Sequence, residues 1–154
     1  MKAFEHAAEP VDLKKVGRHI SADPLELPAL VGRYHDPAAG AFVFFSGETR
    51  NHHANRAVQT LFYEAHESLA ERLIRSIIDE AVKRHELKQA FAVHRIGEVP
   101  VGESAVVVIT ASAHREAAYA ANQEIIHRIK TEVPIWKLER FADGTEAWSE
   151  GCRH

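Results

Sequence analysis

The clearest hydrophobic pattern in the chain lies between Leu69 and Val82. Leu69, Leu73, Ile74, Ile77, Ile78, Ala81 and Val82 recur at steps of three and four, while Glu71, Arg72, Arg75, Asp79, Glu80 and Lys83 take the other side. That period predicts an amphipathic helix packed on a sheet. A second helix is expected after Ser112, a good N-cap residue, as far as about Glu132, with Pro134 stopping it. Strand patterns surround these helices. Ala41–Phe45 is short, aromatic and β-branched, which reads as a buried strand ended by Gly47. Val58–His66 alternates Leu61 and Tyr63 against Phe62 and Glu64. The polar stretch between them, Glu48–Arg56, reads as a loop, so the two strands suggest a wide hairpin. Phe91–Ile96 and Ala105–Thr110 are two more strands, joined by a turn around Pro100-Val101-Gly102. Ile135–Phe141 and Glu146–Trp148 form a closing hairpin around Asp143-Gly144.

The N-terminal part is less regular. Residues 1–15 read as a loosely held arm and Val16–Ser21 as a short strand. Pro24 opens a helix with Leu25, Leu27, Leu30 and Val31 on its apolar side, broken by His35-Asp36-Pro37 and Gly40. Strands and helices are mixed, with hairpin-like connections. The fold class expected is therefore α+β: a mixed, largely antiparallel sheet with two main helices packed on it and a C-terminal hairpin. At 154 residues the chain is read as one domain, 1–154.

Composition narrows the function classes. A net charge of -3 argues against a broad nucleic-acid-binding surface, while leaving room for a local basic pocket. No apolar run approaches a membrane span and no segment resembles a signal peptide, so a cytoplasmic protein is expected. The single cysteine, Cys152, allows no internal disulfide, which fits a reducing compartment. No basic group is fixed beside it, so a nucleophilic role has little support. Eleven histidines raise the question of metal. His52 and His53 are adjacent and would face opposite ways on a strand, and no pair has zinc-motif spacing, so neither metal nor cofactor is expected.

Three clusters could carry chemistry. Ser46-Gly47-Glu48-Thr49-Arg50-Asn51-His52-His53 leaves a core strand with an arginine at its mouth; it suits either a ligand loop or a solvated hairpin loop. Ser112-Ala113-His114-Arg115 opens a helix whose free N–H groups and dipole favour an anion. Cations there oppose the dipole at a cost of ~0.3–1 kcal/mol each, which hints at a phosphate or carboxylate ligand. Exposed side chains reaching for acidic neighbours would look the same. In the third cluster Lys130 ends a helix, where a cation is favourable anyway. Lys137 lies mid-strand in an apolar stretch, where burial of a lysine favours acid, base or nucleophile chemistry.

Taken together, these stretches resemble the large, catalytic subunit family of molybdopterin synthase. The matching segments are Gly40-Ala41 into Phe45-Ser46-Gly47-Glu48-Thr49-Arg50-Asn51, Tyr63-Glu64-Ala65, His94-Arg95-Ile96-Gly97, Ser112-Ala113-His114-Arg115, and Lys130 with Val133-Pro134-Ile135-Trp136-Lys137. They span about Pro24 to Trp148 in order. The resemblance implies a sulfurtransferase of molybdenum cofactor biosynthesis. Its substrate would be cyclic pyranopterin monophosphate, and its sulfur donor a small ubiquitin-like carrier subunit with a C-terminal Gly-Gly thiocarboxylate. It implies that Arg50, His114 and Arg115 hold the substrate phosphate, that Lys130 and Lys137 work at the sulfur-transfer centre, and that Glu48, Thr49, Leu138 and Glu139 line the pocket. If Ser112–Lys130 is one continuous helix, His114 and Lys130 lie ~24 Å apart, so bringing both to one pocket calls for a two-fold homodimer, a heterotetramer with two small subunits; the alternative is a break in the helix near Asn122. The position after the second lysine, often basic in the family, is Leu138 here, so a contact there must use backbone or Arg140. Alternatives are a non-catalytic anion- and partner-binding module of the same fold and an unrelated phosphate-ester enzyme.

Overall fold

The computed structural model describes residues 19–149. The expected arm at 1–15, the residues before His19 and Cys152 lie outside that range. The described elements run β1 (Ile20–Ser21), α1 (Leu27–Arg33), β2 (Ala41–Glu48), β3 (His52–His53), β4 (Arg56–Ala65), α2 (Glu67–His85), β5 (Gln89–Arg95), β6 (Gly97–Pro100), β7 (Ser104–Ser112), α3 (Arg115–Glu132), β8 (Ile135–Phe141) and β9 (Glu146–Ser149).

The α+β class holds, with the strands divided between two sheets. One has the order β1-β5-β7-β2; only its β1–β5 pair is parallel. In the other, β4 is central, with β8 and then β9 on one side and β3 and β6 on the other, all antiparallel. The two main helices lie side by side over one face of the first sheet. Ile74, Ile77 and Ile78 of α2 and Ile125 and Ile129 of α3 meet Ala90, Ala92, Val106 and Val108 there. Each isoleucine removed from water contributes ~1.5–3 kcal/mol. The other face carries Phe91, Val93, Val107 and Ile109 under Tyr34 and the apolar side of α1. β5 and β7 are thus buried on both faces, which explains their unbroken apolar runs.

Several expectations are corrected. β2 and β4 do not pair: β2 runs antiparallel to β7, and β4 to β8. The hairpin in this region is instead β3–β4, turned through Ala54 and Asn55, both at positive φ. β2 does not stop at Gly47 but continues to Glu48. A Cβ at Gly47 would sit 2.7 Å from Val106 Cγ1, so the missing side chain lets β2 close on β7, just before the register slips. α1 begins at Leu27, so Pro28 rather than Pro24 occupies its first turn. Ser112 is the buried last residue of β7, its hydroxyl donating to the His114 carbonyl, and His114 is the N-cap of α3. β6, which the pattern did not reveal, leaves the first sheet at Gly97 (φ +82°) and pairs with β4 in the second.

Candidate active site

The seam between the sheets opens into a pocket of about 290 Å³. Its walls come from several elements. β2 and the segment after it supply Glu48 and Arg50; β3 supplies His52 and His53; β4 supplies Leu61 and Tyr63; β5 supplies His94; β7 supplies Ala105 and Val106; α3 supplies Lys130; and β8 supplies Lys137 and Glu139. Three cations therefore face two carboxylates in one small volume. Such a space suits an anionic small molecule, close to the lower size of ligand pockets.

Each side chain is aimed by its element. On β8 the two-residue period sends Lys137 and Glu139 inward and Leu138 to the opposite face, in register with Phe62 and Trp148. Lys137 is buried, and its Nζ lies 3.5 Å from Glu139 Oε1. Leu138 thus leaves only its backbone near the pocket. Arg140 also lies on the outer face, pairing with Glu146 at 3.3 Å and covering the Phe62 ring. Lys130 sits in the last turn of α3, where the helix C-terminus favours a cation. It borders both the pocket and a shallow groove along α3 lined by Phe45, Gln123 and His127.

The segment after β2 is held by its backbone. Thr49 N–H donates to the Glu103 carbonyl at 3.1 Å, and Gly102 N–H donates to the Thr49 carbonyl at 2.9 Å. Thr49 itself is buried, with no hydrogen-bond partner for its hydroxyl among the described residues. That clamp presents Glu48 and Arg50 to the pocket on either side of it. The same turn is braced from β5, where Arg95 donates to Glu103 at 2.9 Å.

His94 is the residue that pattern reading missed. It is completely buried, edge-on to the Tyr63 ring, and it lines the pocket. Its Nδ1 lies 2.7 Å from the Arg95 carbonyl oxygen. A carbonyl only accepts, so Nδ1 carries the proton and Nε2 is left with a lone pair. Nε2 has no hydrogen-bond partner among the described residues. Burial, aided by the charge of Lys130, pushes the imidazole down to a pKa of about 4, despite the opposing carbonyl bond.

His114 and Arg115 stand apart. Both are exposed at the start of α3 and neither lines the pocket. α3 is unbroken from Arg115 to Glu132, so His114 is about 24 Å along the axis from Lys130. Among the described residues no group of three His, Cys, Asp or Glu is placed to hold a metal, and no helix is long and apolar enough to cross a membrane.

Comparison with known proteins returns the same α+β fold and a single family. Residues 20–132 match the MoaE protein family model, and the chain belongs to that family. The molybdopterin synthase catalytic subunit of Thermoplasma volcanium is 41% identical over 126 residues, covering 82% of this chain and 90% of that protein. The crystal structure of molybdopterin synthase from Staphylococcus aureus superposes with a TM-score of 0.80 at 32% identity, covering 86% of this chain and 96% of that one. A complex of subunits 1 and 2 of the molybdopterin-converting factor from Helicobacter pylori shares the fold, with a TM-score of 0.68 at 21% identity, over 88% of this chain and 91% of its own. With these relatives the chain is an enzyme of molybdenum cofactor biosynthesis.

Proposed function

We propose that this chain transfers sulfur from the C-terminal thiocarboxylate of a small ubiquitin-like carrier subunit to cyclic pyranopterin monophosphate in the cytoplasm. Two successive transfers form the dithiolene of molybdopterin. The observation that carries this reading is the meeting of Lys130 and Lys137, from two distant elements, in one pocket with Arg50. A thiocarboxylate and a phosphate monoester are both anions, and those three cations are the groups that would receive them. Lys130 and Lys137 act at the transfer centre, and Arg50 holds phosphate. Glu48 and Glu139 line the pocket, with Glu139 against Lys137. Thr49 and Leu138 contribute through backbone. The carrier's tail enters as an extended strand ending in Gly-Gly, because only glycine lets a backbone thread so closely past side chains. In the Helicobacter pylori relative the two subunits of the converting factor form a complex. His114 and Arg115 complete the phosphate site from a second copy of the chain, in a homodimer with one carrier at each end.

Reconstitution tests this. The purified chain alone should convert no substrate, and it should produce molybdopterin once the thiocarboxylated carrier is added. Lys130→Ala and Lys137→Ala should each slow single-turnover conversion by about 10²–10⁴-fold, the usual worth of a positioned acid–base group. Either variant staying within about threefold of the unsubstituted chain removes that lysine from the chemistry. Phosphate release by the chain alone would point to a phosphoesterase instead.

A further inference from the structure

The roles above make no use of His94 Nε2, whose lone pair lies at the pocket wall. Three features fix it there. Parallel pairing anchors the end of β5, with His94 N–H donating to the His19 carbonyl and Ile96 N–H to the Ser21 carbonyl, both at 2.8 Å. The Nδ1 bond to the Arg95 carbonyl sets the ring's tautomer and tilt. The Tyr63 ring, edge-on with centroids 4.8 Å apart, packs against it. An unpaired acceptor this deeply buried is costly, so an unpaired one at a pocket wall points to a donor that arrives there.

The donor at hand is Lys130. It borders the 290 Å³ pocket together with His94, and the two share a second, smaller cavity with Ile129, Val133 and Ile135. The Lys130 ammonium has no hydrogen bond or ion pair among the described residues, whereas Lys137 is already beside Glu139 and Arg95 is held by Glu103. An ammonium on a flexible four-carbon stem has three donors and can swing to a fixed acceptor.

We propose that His94 is a positioning residue for Lys130: its Nε2 accepts a hydrogen bond from the Lys130 ammonium and holds that group at the wall where the reacting sulfur arrives. This rests on the sulfur-transfer reading of the pocket and adds a residue to it. A carboxylate in the same place would hold the lysine more strongly, but it would also neutralise it and repel an incoming thiocarboxylate. A neutral imidazole orients the cation and leaves its charge for the substrate. The charged neighbours fit that division. Lys137 and Glu139 reach in from β8, Glu48 from β2, and Arg50 from the following segment, with His52 and His53 beside it. On His94 itself, the Lys130 charge and burial act together to keep the ring unprotonated.

The test has one arm that needs no carrier. Long-range ¹H–¹⁵N spectra of the full chain at pH 7 should show His94 protonated on Nδ1, with Nε2 at the shift of a hydrogen-bonded acceptor. Lys130→Met should move Nε2 to the value of a free pyridine-type nitrogen and raise the ring's titration midpoint from about 4. An Nε2 shift unmoved by Lys130→Met overturns the proposal whatever happens to activity. The second arm is sulfur transfer with the thiocarboxylated carrier. His94→Leu should lower kcat about tenfold or more with little change in KM, and His94→Gln, whose amide can again present an acceptor, should recover much of that loss. Activity of His94→Leu within about twofold of the unsubstituted chain overturns it, as does equal loss in both variants when both fold. The unsubstituted chain run alongside separates the two claims. If it makes no molybdopterin with the thiocarboxylated carrier, the sulfur-transfer reading fails, while the nitrogen spectra still decide whether His94 holds Lys130.

Discussion

A fully buried imidazole is tolerated far more readily neutral than charged, and His94 carries the consequence into folding. Its pKa in the folded chain, about 4, lies below the ordinary 6.5. Between those values the unfolded chain binds a proton that the folded chain refuses. Stability from this residue is therefore complete above pH 6.5 and falls as the pH drops toward 4, where the folded form is protonated too. The full loss approaches ~3 kcal/mol. His19 is also shifted down by burial and adds in the same direction. We expect the urea midpoint of the chain to fall steadily from pH 7 to pH 4.5, and His94→Gln to flatten much of that slope. An unchanged slope in His94→Gln would place the acid sensitivity elsewhere. Beside it, Lys137 shows how a single side chain reads at this scale: a lysine in an apolar strand needed somewhere polar to point, and β8 turns it toward Glu139 and the pocket.

Among the elements, α3 carries Lys130 of the pocket at one end and the exposed His114 and Arg115 at the other. It is tied to the first sheet by buried polar bonds as well as by its isoleucines. Asn122 Nδ2 donates to the Val108 carbonyl at 3.1 Å and the Val43 carbonyl at 3.3 Å, and Thr110 Oγ1 donates to the Ala118 carbonyl at 2.7 Å. Its start is set by Gly40, whose N–H donates to the Ser112 carbonyl at 3.0 Å. A Cβ on Gly40 would fall 2.4 Å from the Ala113 carbonyl oxygen, which is backbone and cannot swing aside. Gly40→Ala should therefore cost ~1–3 kcal/mol and shift the first turn of α3. Denaturant titration measures the first effect, and amide exchange across Arg115–Ala118 the second. A variant as stable as the parent would show that the β2 entry can move away.

The same elements show what the sequence could and could not convey. α2, α3 and the β8–β9 hairpin were legible because each is specified by its own periodicity and stop signals. The partners of β2 and β4 were not, because pairing across the chain leaves no local trace, and adjacent strands favoured a hairpin that does not form. The true β3–β4 turn uses Ala54 and Asn55 at positive φ, without the Asn-Gly or Asp-Gly signal. β6 has only four residues and gains its partner from β4. Of the residues lining the pocket, Arg50, Lys130 and Lys137 stand out in the sequence as basic groups at a loop mouth, a helix end and an apolar strand. His94 carries no such local signal. β5 is buried on both faces, so alternation could not say which side its histidine served.

At the scale of the whole molecule, the phosphate role proposed for His114 and Arg115 requires the start of α3 to serve a pocket at its other end. Within one chain they cannot: α3 is continuous, and about 24 Å of helix separates His114 from Lys130. Yet His114 caps α3 without a side-chain bond to its free N–H groups, and both His114 and Arg115 are exposed. Arg115 at the positive end of α3 is the charge that the proposed shared phosphate would use. A two-fold dimer would supply that arrangement if it set the helix start of one chain beside the pocket of its mate, the contact then repeating symmetrically. The expectation is complementation. Arg115→Ala and Lys137→Ala chains, each defective in sulfur transfer, should regain activity when mixed under conditions that allow subunits to exchange. In a mixed dimer, one of the two pockets combines an intact Lys137 with an intact Arg115 from the other chain, and the second pocket has neither. About a quarter of wild-type activity should return when exchange is complete, since half the dimers are mixed and each has one working site. Mixed dimers that demonstrably form, by differential tagging, but show no more activity than the separate variants would place His114 and Arg115 outside the pocket of the neighbouring chain.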